Sequence, residues 1–202
     1  MMYEMKALPC DPTGLPGLSE WLIRSHYENN YGGAVKRLNA ITEQLAGIDP
    51  ASTPVFVLNG LKREELIAAN SMILHEIYFD SLGAGDSLGG ALGRAIERDF
   101  GSVDRWRAEF VSMGKALGGG SGWVLLSWSP RLGRLTNQWA SDHAHTLADG
   151  APLLALDMYE HAYHIDFGAK AGAYVDAFMQ NIDWSRVAKR FATAAPDRQA
   201  AQ

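Results

Sequence analysis

The run Asp157-Met158-Tyr159-Glu160-His161 places a carboxylate and an imidazole four residues apart, and two distant histidines, His26 and His75, lie among apolar neighbours of their own. An aspartate and a histidine at that spacing converge if the backbone between them is a helical turn or the last bend of a strand. The flanking segments Ala151-Pro152-Leu153-Leu154-Ala155-Leu156 and Ala162-Tyr163 are mostly apolar, so both groups enter a dry interior. Unpaired charge there costs several kcal/mol or more. A metal ion is one candidate for the compensating partner. A nitrogen and oxygen donor set without sulfur suits Mn, Fe and Zn alike.

Helices must aim the two front histidines. Ser19-Glu20 starts the first one, and Leu22 and Ile23 lead to His26. The pattern weakens at Gly32-Gly33 and resumes with Val35, Leu38, Ile41 and Leu45 until Gly47, which reads as a long helix with a soft point. Ahead of it, residues 1–17 carry Pro9, Pro12, Pro16, Gly14 and Gly17 and form an extended arm over the body. The short run Val55-Phe56-Val57-Leu58 reads as loop. From Leu61 to Leu82 a second helix sets Ala68, Met72, His75 and Phe79 on one face. Two antiparallel helices with inward histidines can present both imidazoles to one point, as bundles do when they build metal sites.

The glycine-rich segment 83–90 divides the chain into residues 1–82 and 83–202; no strand precedes it, so it is a connection and not a phosphate loop. Helices follow at 91–100 and at 103–117, the latter capped by Ser102. The period then changes. Residues 123–128 and 134–140 make a hairpin, Asp142, His143 and His145 lie just beyond it, and 151–156 form a third strand that delivers Asp157. Helix returns from about Tyr163 and again around Asp183 to Thr193, with a frayed end at 194–202. The expected fold is α+β: an N-terminal antiparallel long-helix hairpin plus a C-terminal α/β domain whose three-stranded antiparallel sheet is flanked by helices.

Composition narrows the function. With 202 residues, 47% of them hydrophobic, the chain buries a sizeable core. The net charge of −5, with no stripe of Lys or Arg, argues against nucleic acid, and it repels small anions unless local cations or a metal attract them. No apolar run is long enough to span a bilayer and the N-terminus lacks a signal-peptide pattern, so the expected compartment is the cytoplasm. Cys10 is the single cysteine, which excludes an internal disulfide. Ser121 lacks the spacing of a nucleophile elbow.

Several separated segments together resemble the iron/manganese superoxide dismutases over almost the whole length. Asp157-Met158-Tyr159-Glu160-His161-Ala162-Tyr163 is similar to the family's D-x-W-E-H-A-Y, and Gly120-Ser121-Gly122-Trp123 to its G-S-G-W. His26-Tyr27 and His75 fall at the spacings of its first two ligands, and Asp183-Trp184 with Val187-Ala188 follows its closing N-W-x-x-V-A. The resemblance implies His26, His75, Asp157 and His161 as ligands to one Fe or Mn ion per subunit, a solvent molecule completing five-coordination, and superoxide as substrate. It implies a homodimer or dimer of dimers, with Glu160 reaching the ligand histidine across the subunit interface.

Around those ligands the chain departs from the family. Ala34 stands where the family has a channel tyrosine, Asn30 replaces a channel histidine, and Ser71 replaces the glutamine of iron-type members. Asp142-His143 resembles a histidine variant found after the hairpin, which makes His143 the candidate partner of the bound solvent, able as an imidazole to donate or accept. His164 takes the place of an interface tyrosine, and a His164–Asn30 bond between subunits is a conceivable replacement for the family's. Ala171 aligns with the channel arginine and leaves Lys170 as the obvious local cation, while Tyr159 replaces the signature tryptophan. Superoxide dismutation is the first reading. A metal-binding homologue with low or altered activity is the alternative, and a zinc hydrolase is a third that the three-histidine set permits.

Overall fold

The computed structural model of the protein describes residues 2–84 and 87–196. The arm is extended apart from one turn at Pro12–Gly14, and it is tied down over the helices that follow. Tyr27 Oη donates to the Lys6 carbonyl at 2.6 Å, the Lys6 amide donates to Tyr31 Oη at 2.9 Å, and Arg186 reaches back to the Pro9 carbonyl at 3.0 Å.

Helix α1, Glu20–Ser25, is capped by Ser19, whose hydroxyl accepts from the Leu22 amide at 3.0 Å. A π-helical turn, His26–Tyr31, then leads into α2, Gly32–Ala46. The irregularity therefore sits one turn ahead of the expected soft point at Gly32-Gly33, and the buried positions explain it. They run 22, 23, 26 and then 31, 34, 35, 38, 41. The step of five residues between His26 and Tyr31 is too long for an α-helical turn, and the π turn absorbs the extra residue so that one face stays inward on both sides.

Helix α3 runs Val55–Asp80, so the segment Val55–Leu58, expected as loop, is its first turn. Pro54 caps it with a fixed φ of −54°, and its carbonyl accepts from the Val57 and Leu58 amides. The β-propensity of Val55 and Val57 has no sheet to join, and Val55 and Phe56 stay 84% and 76% exposed. Helices α2 and α3 pack along one another.

After the 83–90 connection, of which residues 85 and 86 lie outside the described residues, come α4, Gly90–Phe100, and α5, Val103–Ala116, the second capped by Ser102 as expected. Strands β1, Trp123–Ser129, β2, Arg134–Ala140, and β3, Ala151–Asp157, form one antiparallel sheet in the order β2-β1-β3. Every residue of β1 is buried, as a central strand between packed layers requires. The helical tail breaks into α6, His164–Phe167, α7, Ala171–Gln180, and α8, Trp184–Ala194. Contrary to the expected fraying from residue 194, Ala194 closes α8 and Ala195 is buried; residues 197–202 lie outside the described residues.

Apolar side chains from before and after the connection form one continuous core, in which α3 packs on β3 and α8 on the same strand. Ser19 adds a polar tie, donating to Asp166 of α6 from both its amide and its hydroxyl at 2.7 Å.

The register Trp123↔Asp157 and Trp123↔Ala140 puts Gly122 at the point where both neighbours of β1 end. Gly122 has φ +134°, and a Cβ there would lie 2.3 Å from the Ala140 carbonyl oxygen. Its own carbonyl accepts from the Met158 amide at 2.9 Å. Gly122→Ala is therefore expected to lower stability by about 2 kcal/mol or more, seen as an earlier thermal unfolding midpoint; an unchanged midpoint would contradict this packing.

Candidate metal centre

Four side chains from four elements meet where the long helices touch the sheet. His26 opens the π turn, His75 projects from α3, Asp157 ends β3, and His161 sits in the tight turn Glu160–Ala162. The Asp157–His161 pair thus combines both geometries open to that spacing, a strand end followed by a helical turn. The Nε2 atoms of His26, His161 and His75 lie 3.1, 3.2 and 3.5 Å from a single oxygen, Asp157 Oδ2. One donor atom from each of the four falls within 4.8 Å of the others. His26, His75 and Asp157 are buried, and the His161 side chain is 26% exposed.

Neighbouring groups fix the free ends of these side chains. The His75 Nδ1–H donates to the Ser71 carbonyl at 2.7 Å, so its Nε2 presents a lone pair to the cluster, and that buried nitrogen has no hydrogen-bond partner. The Tyr159 amide donates to Asp157 Oδ1 at 2.9 Å, which leaves Oδ2 as the inward oxygen. Tyr78 and Phe79 hold the His26 ring at centroid distances of 4.9 and 5.0 Å.

Burial holds the His26 imidazole below its ordinary pKa against the opposing hydrogen bond and charge of Asp157. Burial and the His26 ring beside it push His75 down to about 3. For Asp157 burial acts upward, yet the charge of His161 and the hydrogen bonds of His161 and His26 outweigh it and hold the carboxyl well below the usual range. A dry carboxylate ringed by three imidazole nitrogens is a donor set for a cation that displaces the protons of the His26 and His161 hydrogen bonds, and the orphaned lone pair of His75 Nε2 fits it.

His143 joins this site. Its Nδ1 accepts from Trp123 Nε1–H at 3.0 Å, and its carbonyl accepts from Asn70 of α3 at 2.6 Å. Burial keeps the ring below its ordinary pKa, and the charges of Asp157, His161, Asp142 and Arg37 all act on it. With Nδ1 engaged, the neutral ring carries its proton on Nε2 and can only donate there, which narrows the donor-or-acceptor role read from sequence. Of the two residues that set this orientation, Trp123 was noted only as a strand residue and the end of the G-S-G-W match and Asn70 not at all; their partner lies in a loop whose path the sequence pattern does not specify.

Tyr159 is sandwiched between His143, at 4.8 Å and 9°, and His161, at 5.4 Å and 16°. Its phenol, pushed up to about 12 by burial and the charges of Asp157 and Asp142, finds the His143 backbone and the Ser121 hydroxyl as partners. Asn30 is half-buried in the π turn, while Glu160 and His164 flank His161 with exposed side chains. His145 stays outside the site, beside Ser141 and Asp142. Ala171 is buried at the start of α7, and Lys170 is exposed.

A buried three-histidine, one-aspartate cluster joining a helical hairpin to a three-stranded sheet is a group that could hold a single metal ion. Comparison with known proteins then gives the family. Residues 88–190 match the profile described as iron/manganese superoxide dismutases, C-terminal domain. The chain is 77% identical to "Superoxide dismutase [Fe]" of Cupriavidus metallidurans over 98% of its length and 100% of that protein's. It is 35% identical to "Superoxide dismutase [Mn] 1" of Halobacterium salinarum over 96% of both chains, and 35% identical to "Superoxide dismutase [Fe]" of Aquifex pyrophilus over 91% of this chain and 88% of that one. The chain belongs to the iron/manganese superoxide dismutase family.

The pKa shifts set a pH dependence. Unfolded histidines take up protons below about pH 6.5, whereas His75 stays neutral in the fold down to about 3 and His26 is shifted the same way. Stability is therefore lost as pH falls from about 6.5, by up to about 1.4 kcal/mol per pH unit for each such histidine. The depressed Asp157 adds to the loss below its unfolded pKa of 3.8. Urea unfolding of chelator-treated protein should show falling midpoints between pH 7.5 and pH 4.5, with a shallower slope in His75→Asn. A flat profile over that range would count against neutral buried histidines.

Proposed function

We propose that the protein is a superoxide dismutase that holds one iron or manganese ion on His26, His75, Asp157 and His161. The observation that carries this reading is the convergence of three imidazole nitrogens on one buried carboxylate oxygen, within a chain of this family. The relative with 77% identity is named as an iron enzyme, which makes iron the first choice. When bound, the ion supplies one-electron redox capacity, so that one superoxide is oxidised to dioxygen and a second, taking up two protons, is reduced to hydrogen peroxide.

The chain's own residues supply the rest. Asp157 brings one negative charge into the dry site and the three imidazoles bring none, which leaves a divalent or trivalent cation with residual positive charge to attract an anion. His143 holds a proton at Nε2 beside the cluster, oriented by the Trp123 indole. Stacking by Tyr159 fixes both His143 and His161.

The same reading makes the face around Glu160, His164 and Asn30 the contact of a homodimer, which can pair further into a dimer of dimers. In support, Trp21 of α1 and Ile165 of α6 are 68% and 46% exposed on elements that the Ser19–Asp166 bonds tie together. The compartment we assign is the cytoplasm. No helix among the described residues is long and apolar enough to cross a membrane.

Metal analysis paired with superoxide decay tests the activity. The parent should hold iron or manganese and accelerate decay, and His161→Ala should lose both; a parent with full metal that leaves decay unchanged would refute dismutation. His143→Leu is expected to keep its metal and slow turnover by roughly tenfold. Full activity in that variant would remove His143 from the proton path.

A further inference from the structure

A cavity of about 270 Å³ opens between α2 and α3. Ser71 and His143 line it, and both neighbour the His75 ring: the Ser71 carbonyl accepts from Nδ1 at 2.7 Å, and the His143 ring lies 6.2 Å away, centroid to centroid. The cavity therefore ends on residues that border the candidate metal centre. Gly33, Ala34 and Ala68 complete its walls with small side chains, which leave the passage wide.

Arg37 stands on the rim. Its guanidinium pairs with Glu64, and Arg63 pairs with the other oxygen of the same carboxylate at 3.1 Å. Two guanidinium groups on one carboxylate leave one positive charge over at this opening, on a chain whose formal net charge is −5. That charge reaches inward, since Arg37 is among the charges acting on His143. Lys170, the local cation expected beside Ala171, does not line the cavity.

Building on the dismutase reading, we propose that Arg37 draws the anionic substrate into the site, with Glu64 and Arg63 holding its guanidinium over the opening. The substrate is a small anion, and a cation at the mouth of a cleft raises its local concentration even when the whole chain repels it. The Arg37 side chain is 57% exposed, so its pairing adds little to stability, and its charge acts on encounter rates that salt screens.

The test uses metal-loaded protein over ionic strengths of about 10 to 300 mM, spanning Debye lengths from about 30 Å to a few Å. Two quantities are read: kcat/KM for superoxide and the association rate of azide, followed in the visible spectrum. Arg37→Gln should lower both roughly two- to fivefold at low salt, flatten their salt dependence and approach the parent at high salt. Arg37→Lys should recover most of the loss. Lys170→Gln changes the net charge equally but away from the cavity, and should leave both slopes unchanged. Parent-like slopes in Arg37→Gln, or an equal drop in Lys170→Gln, would overturn the assignment. Absence of dismutation in the fully loaded parent would refute the dismutase reading instead, and the azide rates would still decide the role of Arg37.

Discussion

A carboxylate stripped of water organises this protein. Asp157 is fully buried, has no Lys or Arg against it among the described residues, and faces three imidazoles of which at least two are held neutral by burial. Such a group is costly to desolvate without a counter-charge. The fold tolerates it because one oxygen accepts from the Tyr159 amide and the other accepts from His26 and His161, with the His75 nitrogen beside them. A cation bound there would couple to folding: the arrangement that makes the bare site unfavourable would make the loaded one strong.

Every element around the centre contributes a fixed direction. The sheet fixes Asp157 through the pairing Trp123↔Asp157, and the same Trp123 turns its indole to hold His143. One residue therefore ties strand register to the orientation of a proton-bearing ring. Helix α3 supplies His75, the Ser71 carbonyl that sets its tautomer, and Asn70, which anchors the loop behind His143. Tyr159 lies nearly parallel to both His143 and His161, and its hydroxyl meets polar partners at its edge.

Much of this could be read from residue types alone. Ser19, Ser102 and Asp183 each cap the helix that follows, and the strand bounds agree to within a residue because period-two runs end at turn residues. The convergence of His26, His75, Asp157 and His161 was traceable because histidines on apolar stripes are few and an Asp–His pair in a hydrophobic run demands compensation. What escaped detection depends on distant partners. The first turn of α3 looked β-prone because Val55, Phe56 and Val57 carry that preference locally, while the helix they extend decides their conformation. The π turn was hidden in a five-residue gap between buried positions, and the tautomer of His143 depends on an indole twenty residues away.

The π turn also limits which changes of length the first helix can survive. Residues 47–54 form a surface connection, where an inserted or deleted residue is absorbed by the loop. Between Tyr27 and Asn30 a deletion would remove the extra residue and let the turn relax to an ordinary four-residue α-helical step, which keeps Leu22, Ile23 and His26 on the inward face. A residue lost from the regular winding of α2 between Val35 and Leu38 has no such slack and would rotate everything before it by about 100°, so a single lost codon there would turn Leu22, Ile23 and His26 away from the interior while leaving each side chain intact.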